Sequence, residues 1–213
     1  MTEIKNWVEL TNLVMKPKKV KAEAIFVHGW GDLHQELLKF TIEIFNKSDA
    51  KYIVLNGAPE YEFGLPGFDW WQKELIKMGV NKDKIVSIGP AKHTNAEAQG
   101  FMNFAQDKKL KSAIVISVPQ HIIRAFLNNL GFIEKLDLNL KLYPMTLPKV
   151  DWQKVIEIKS LSGVSEKTSR LGRLAGEFAR IIEYRKKAQA GNSDFCLASV
   201  KEGLEYLANL STY

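Results

Sequence analysis

Short, mostly apolar runs alternate along this chain with stretches in which apolar residues recur every three or four positions. Residues 22–27 (AEAIFV), 52–55 (YIVL), 85–88 (IVSI) and 113–118 (AIVISV) are of the first kind. Runs this short and β-branched, bounded by Gly, Pro or Asn, read as strands buried on both faces. Residues 33–46 carry Leu33, Leu37, Phe40, Ile44 and Phe45 near helical spacing. Further helical patterns run through Trp70, Trp71, Leu75 and Ile76, over 94–107 and over 119–130. Residues 138–143 (LNLKLY) alternate instead, which predicts an edge strand.

Buried strands separated by helices of about 10–15 residues make βαβ units and a parallel sheet. The expected fold class is therefore α/β, a doubly wound, mostly parallel five-stranded sheet with helices on both faces and right-handed crossovers. Additional C-terminal helices are expected over 164–188 and 195–210. The segment 188–193 (AQAGNS) is the expected hinge, dividing a main domain over 1–188 from a helical extension over 189–213 packed on it.

Composition narrows the class. With 46% hydrophobic and 25% charged residues, the 213-residue chain has the make-up of an ordinary globular protein, which excludes disorder, collagen and coiled coil. Its net charge of +6 is spread thinly, so it permits an anionic partner without demanding one. The densest basic run, Lys16-Pro17-Lys18-Lys19-Val20-Lys21, has no aromatic platform and reads as a solvated entry to the first strand, not a nucleic-acid contact. A single cysteine, Cys196, excludes an internal disulfide and any multi-cysteine metal site. No run reaches the ~18 apolar residues of a membrane span. Lys5 and Glu9 also interrupt the N-terminal apolar run, so the expectation is a cytoplasmic protein with no membrane partner.

In an open α/β sheet the ligand lies outside the carboxyl ends of the strands. The loops expected there hold His28-Gly29-Trp30-Gly31, Asn56-Gly57, His93-Thr94-Asn95 and Ser117-Val118-Pro119-Gln120-His121. Three of the four histidines, His28, His93 and His121, thus share one edge. Glycine after a strand lets a backbone approach a ligand and suits an anion, with a tight turn as the alternative. Thr94-Asn95-Ala96-Glu97 fits a capping box, Thr94 at the N-cap and Glu97 three residues on. A capped helix N-terminus is itself suited to anions. His121 and Arg124, three apart, share a helical face and suit a phosphate or carboxylate, or an acid beside an electrostatic clamp. The alternative is a pair of part-exposed side chains bonded to backbone. Arg170, Arg173, Glu177, Arg180 and Tyr184 form a polar stripe that reads as a solvated helix face, unless Glu177 and Arg180 close over the pocket. Trp70 and Trp71, after a Gly/Pro-rich loop, read as packing residues, with shielding of a ligand as the alternative. No local ligand spacing marks a metal site.

Residues 22–145 also carry a family pattern. Leu55-Asn56-Gly57 is followed by Met78-Gly79-Val80-Asn81-Lys82-Asp83-Lys84-Ile85, then His93-Thr94-Asn95-Ala96-Glu97-Ala98, then Ile116-Ser117-Val118-Pro119-Gln120-His121-Ile122-Ile123-Arg124-Ala125. In order and spacing this block resembles the YdcF/SanA/ElyC-like family, a domain of unknown function (DUF218). Gly176-Glu177-Phe178 resembles that family's glutamate near its C-terminal helix. His93 and Ile88 replace its usual Asn and acidic residue, and one Gly of the strand-2 pair is missing, which marks a divergent member. The resemblance implies a Rossmann-like main domain and a pocket for a nucleotide-like or phosphorylated ligand, S-adenosylmethionine being one suggested class.

Two readings of function stand side by side. In the first, the chain binds a small anionic, nucleotide-like ligand. Arg124 and the backbone at Gly29, Gly57 and Thr94 hold the anion, and Trp30, Asn56, His93, Asn95, Glu97, Ser117 and Glu177 complete the site. In the second, it is a hydrolase or transferase acting on a phosphorylated or glycosyl substrate, with His121 and His28 as acid–base groups. A non-catalytic interaction protein is the third alternative.

Overall fold

The computed structural model describes residues 2–28, 31–59, 66–159, 165–191 and 195–210. A five-stranded, all-parallel sheet forms its centre, built from β1 (Ala24–Val27), β2 (Tyr52–Leu55), β3 (Ile85–Ser87), β4 (Ser112–Ser117) and β5 (Lys141–Thr146) in the order β3-β2-β1-β4-β5. Registers are continuous across the middle, where Ile25 faces Ile53 on one side and Ile114 on the other. Every side chain of β1 is buried, as an apolar run between two helical layers requires. The helices α2 (His34–Lys47), α3 (Phe68–Lys77), α4 (Thr94–Asp107) and α5 (Ile122–Lys135) connect successive strands. Right-handed crossovers in this strand order put α2 and α3 on one face and α4 and α5 on the other. The fold is the doubly wound, Rossmann-like α/β architecture expected from the apolar runs.

Such a strand order has one consequence for function. Strands β1 and β4 are neighbours whose outgoing connections turn to opposite faces, the topological point at which open α/β sheets hold their ligands.

Three elements differ from expectation. An N-terminal helix, α1 (Thr2–Met15), precedes the sheet and buries Trp7, Leu10 and Val14. The last sheet strand begins at Lys141 and not at 138. It is buried along most of its length despite its edge position, because α1 packs there and Tyr206 Oη ties its start, accepting from Leu142 N at 2.7 Å and donating to Leu140 O at 2.9 Å. Pro144 is tolerated in it because an edge strand can spare a ladder N–H. Finally, residues expected to open a long helix form half of an antiparallel hairpin, β6 (Val155–Lys159) with β7 (Ser165–Ser169). Ser169 then caps α6 (Arg170–Gln189), its hydroxyl accepting from Gly172 N at 3.0 Å.

The final helix, α7 (Val200–Ala208), starts with a complete capping box between Ser199 and Glu202. Gly203 lets it lie close on Leu127, Phe126 and Leu10, and a Cβ there would come within 2.7 Å of Leu127. Glu202 also accepts from both terminal nitrogens of Arg185 on α6, at 2.9 and 3.2 Å. Among the described residues no helix is long and apolar enough to cross a membrane. The basic run is only partly solvated. The Lys18 side chain is half-buried with its amine turned inward, and that burial, with Lys16 beside it, lowers its pKa to about 7.

Candidate functional site

Residues from four sequence-predicted loops meet beyond the carboxyl ends of β1 and β4 in two adjacent hydrogen-bonded clusters. His28, the residue after β1, is fully buried. Its Nδ1 lies 3.0 Å from Glu97 Oε2, and its Nε2 lies 3.0 Å from Asn129 Nδ2 on α5. The Asn129 amide also donates to Ala125 O at 2.8 Å, so its nitrogen is the atom that faces His28. Nε2 therefore accepts and Nδ1–H donates to Glu97. The arrangement leaves Asn129 Oδ1 buried without a partner, a cost of about 1–3 kcal/mol. Glu97 Oε1 accepts from Asn56 Nδ2 at 3.0 Å. Burial alone would raise the Glu97 pKa, but His28 and Asn56 together hold it below the ordinary value.

The second cluster is built around Arg124. Nε and Nη2 of Arg124 both donate to the Glu177 carboxylate. Nη1 donates to Thr94 Oγ1 at 3.0 Å and Nη2 to His121 Nδ1 at 3.1 Å. Because a guanidinium only donates, His121 Nδ1 accepts, and Nε2–H donates to Thr94 Oγ1 at 3.2 Å. Burial and the neighbouring Arg124 lower the His121 pKa to about 4. The two imidazoles face each other edge-on, 6.1 Å between centroids. The Arg124 guanidinium also lies over the Tyr184 ring at 5.8 Å. Desolvation opposes ionisation of Arg124 and Glu177 alike, yet each holds the other charged. The Arg124 pKa rises, and that of Glu177 falls well below the usual carboxylate range.

Glu177 gathers two further guanidiniums from its own helix, Arg180 at 2.9 Å and Arg173 at 3.3 Å. Arg170 anchors the start of α6 to Asp32 at 2.7 Å, and Asp32 accepts from Gln120 Nε2 at 3.1 Å. The polar stripe of α6 thus corrects the expectation of a solvated face. Arg170, Arg173 and Glu177 are buried, while Leu171 is exposed. The stripe turns inward because the carboxyl edge presents Asp32 and Arg124 to it.

Several predicted residues do other work. The α4 cap is His93, which is exposed and accepts from Ala96 N at 3.2 Å. The expected capping box between Thr94 and Glu97 does not form, because Arg124 and His121 draw in the Thr94 hydroxyl while His28 and Asn56 hold the Glu97 carboxylate. Asn95 reaches away to the C-terminal segment, its Oδ1 accepting from Cys196 N at 2.8 Å. The Gly57 N–H, expected to hold an anion, donates to Gly89 O at 2.8 Å. Gly57 is required there by close approach, since a Cβ would lie 2.2 Å from Ser87 Oγ and 2.8 Å from Gly89 C. Ser117 donates to His28 O at 3.4 Å within the strand ends. Asn56 is fully engaged, its Oδ1 accepting from Ala58 N and Ala91 N. Trp70 packs edge-on against Trp71 and His34. Gly29 and Trp30 lie outside the described residues. Helix α5 begins at Ile122, so His121 sits in the turn before it.

Sequence reasoning missed Asn129, although a signal existed. Asn128 and Asn129 interrupt an otherwise apolar helical run, and buried amides need partners. Among the described residues no three His, Cys, Asp or Glu side chains are placed to hold a metal ion. No protein-family model matches the chain, and neither does any curated protein.

Proposed function

We propose that this protein binds a small anionic, nucleotide-like ligand at the carboxyl edge of its sheet. The supporting observation is the convergence of Arg124, Thr94, His121 and Glu177, from three separate elements and one turn, at the carboxyl edge where β1 and β4 lie side by side. Open α/β sheets bind ligands at that point. The resemblance to the YdcF/SanA/ElyC-like family supports the same reading and puts S-adenosylmethionine and other nucleotides among the candidates. Arg124 contributes the charge and Thr94 the hydroxyl. His28 acts as a positioning residue, since both its ring nitrogens are held by buried partners.

The hydrolase or transferase reading draws on the Thr94–His121 contact. It is the weaker of the two, because Arg124 occupies Nδ1 and so keeps the hydrogen on Nε2. The ring then donates to the Thr94 hydroxyl and cannot accept its proton.

The test is a thermal-shift and calorimetric panel of nucleotides, sugar phosphates and S-adenosylmethionine. At a hundredfold excess over Kd, a true ligand raises Tm by about 5–10 °C in a chain of this size. Thr94→Val and Arg124→Lys should each abolish the rise while the protein still melts cooperatively. A parent protein unresponsive to the whole panel refutes the proposal.

A further inference from the structure

The inventory of Arg124 hydrogens shows what an incoming anion must do. A guanidinium has five N–H hydrogens in a fixed fork. Four of them are engaged: two by Glu177, one by Thr94 and one by His121. An oxyanion gains a two-point hold on Arg124 only where an existing acceptor leaves. Thr94 and His121 stand at the starts of α4 and α5, within the sheet's own crossovers, whereas Glu177 arrives from α6, which follows the hairpin and lies outside those crossovers.

We infer that Glu177 is an internal stand-in for the ligand's oxyanion, and that the ligand binds by displacing the Glu177 carboxylate from Arg124. This rests on the anion-binding reading above and deepens it, making α6 the element that keeps the site closed.

Charge balance favours the exchange. A carboxylate released from Arg124 does not become a stranded buried charge, because Arg173 and Arg180 are one helical turn away on either side and already contact it. Arg124 in turn exchanges one oxyanion for another and keeps its Thr94 and His121 partners. The movement asked of the protein is small. Ile181 is buried, and Phe178 packs on Trp7 at 5.1 Å, so the apolar side of α6 stays seated while the Glu177 side chain rotates. A phosphoryl group suits the vacated place better than a second carboxylate, because its tetrahedral oxygens meet both the guanidinium fork and the Thr94 hydroxyl.

Inorganic pyrophosphate, inorganic phosphate and malonate, titrated calorimetrically into the parent, Glu177→Gln and Glu177→Asp, test the inference. Removing the competitor should tighten pyrophosphate binding on the order of tenfold or more in Glu177→Gln. Glu177→Asp, which keeps the countercharge on a shorter arm, should show a smaller gain and serves if the Gln variant does not fold. Malonate should gain less than the phosphoryl anions, and equal gains would overturn the preference for phosphoryl. In the parent, saturating pyrophosphate should speed amide hydrogen exchange around Glu177. Pyrophosphate affinity unchanged or weakened in both variants overturns the inference and leaves the binding reading in place. If no variant binds pyrophosphate but the parent responds to the nucleotide panel, the inference again fails alone. If the panel also fails, both fall.

Discussion

Replacing Glu97 by Gln tests whether the His28 tautomer is locked by its surroundings. The two side chains have the same shape, but the amide offers one acceptor where the carboxylate offers two. In the parent protein both oxygens accept, from His28 Nδ1 and from Asn56 Nδ2, each at 3.0 Å. In the variant an NH2 group must face one of these donors. Asn56 cannot turn over, since its Oδ1 serves Ala58 N and Ala91 N while Nδ2 serves Ala91 O. His28 cannot move its hydrogen to Nε2, because Asn129 Nδ2 donates there and is itself held by Ala125 O. The substitution therefore loses a charge-assisted bond, about 1.5–3 kcal/mol, and leaves a buried donor unsatisfied, about 1–3 kcal/mol. A total of about 4 kcal/mol corresponds to a fall in Tm of about 10 °C or somewhat more. The pH dependence has a definite sign. The folded pKa of Glu97 lies below its ordinary value of 4.5. Its contribution is thus fully present above about pH 5 and disappears as acid titrates the folded carboxyl. The gap between parent and variant melting curves should be widest near pH 7 and close below pH 4.5. A variant melting within 2 °C of the parent at pH 7, or a gap that widens in acid, would refute the locked network.

Three other predictions follow from the same geometry. The His121 ring, with its pKa lowered to about 4 from 6.5, should stay neutral by imidazole NMR down to about pH 5. Between those two pKa values the unfolded chain holds the extra proton, so stability should fall by up to about 3 kcal/mol as pH drops from 6.5 to 4. A His121 resonance titrating near 6.5 would contradict this. Gly57→Ala should cost about 1–3 kcal/mol in denaturant unfolding, because the new Cβ meets Ser87 Oγ at 2.2 Å and backbone at Gly89. An unchanged midpoint would show that the two loops separate freely. Tyr206→Phe should cost about 1–3 kcal/mol by stranding Leu142 N, with faster hydrogen exchange at the start of β5.

The sheet was legible because its strands are buried on both faces and must be apolar throughout. The YIVL run is β2 residue for residue, and 94–107 is α4. The hairpin was not legible, because SEKTS in β7 is polar and gains its partner only from Val155–Lys159. The candidate site was half legible. Topology brought His28, Thr94, His121 and Arg124 together as expected of strand-end loops. The assignment of caps failed, because spacing cannot tell whether a Thr or Glu at a helix start turns to its own backbone or to a buried partner from a distant loop. The direction of the α6 stripe was equally hidden, since a charged helix face looks the same in sequence whether it meets water or a matching set of charges.

The central strand sets a timetable for synthesis. Strand β1 pairs with residues 52–55 on one side but with residues 113–116 on the other. A nascent chain that has delivered only its first hundred residues therefore holds β1 with one flank bare, and the imidazole of His28 has not yet met Asn129. Parallel pairing over such a separation is slow and leaves a sticky edge waiting. The second half of the chain thus acts as the template on which the first half's chemistry becomes ordered.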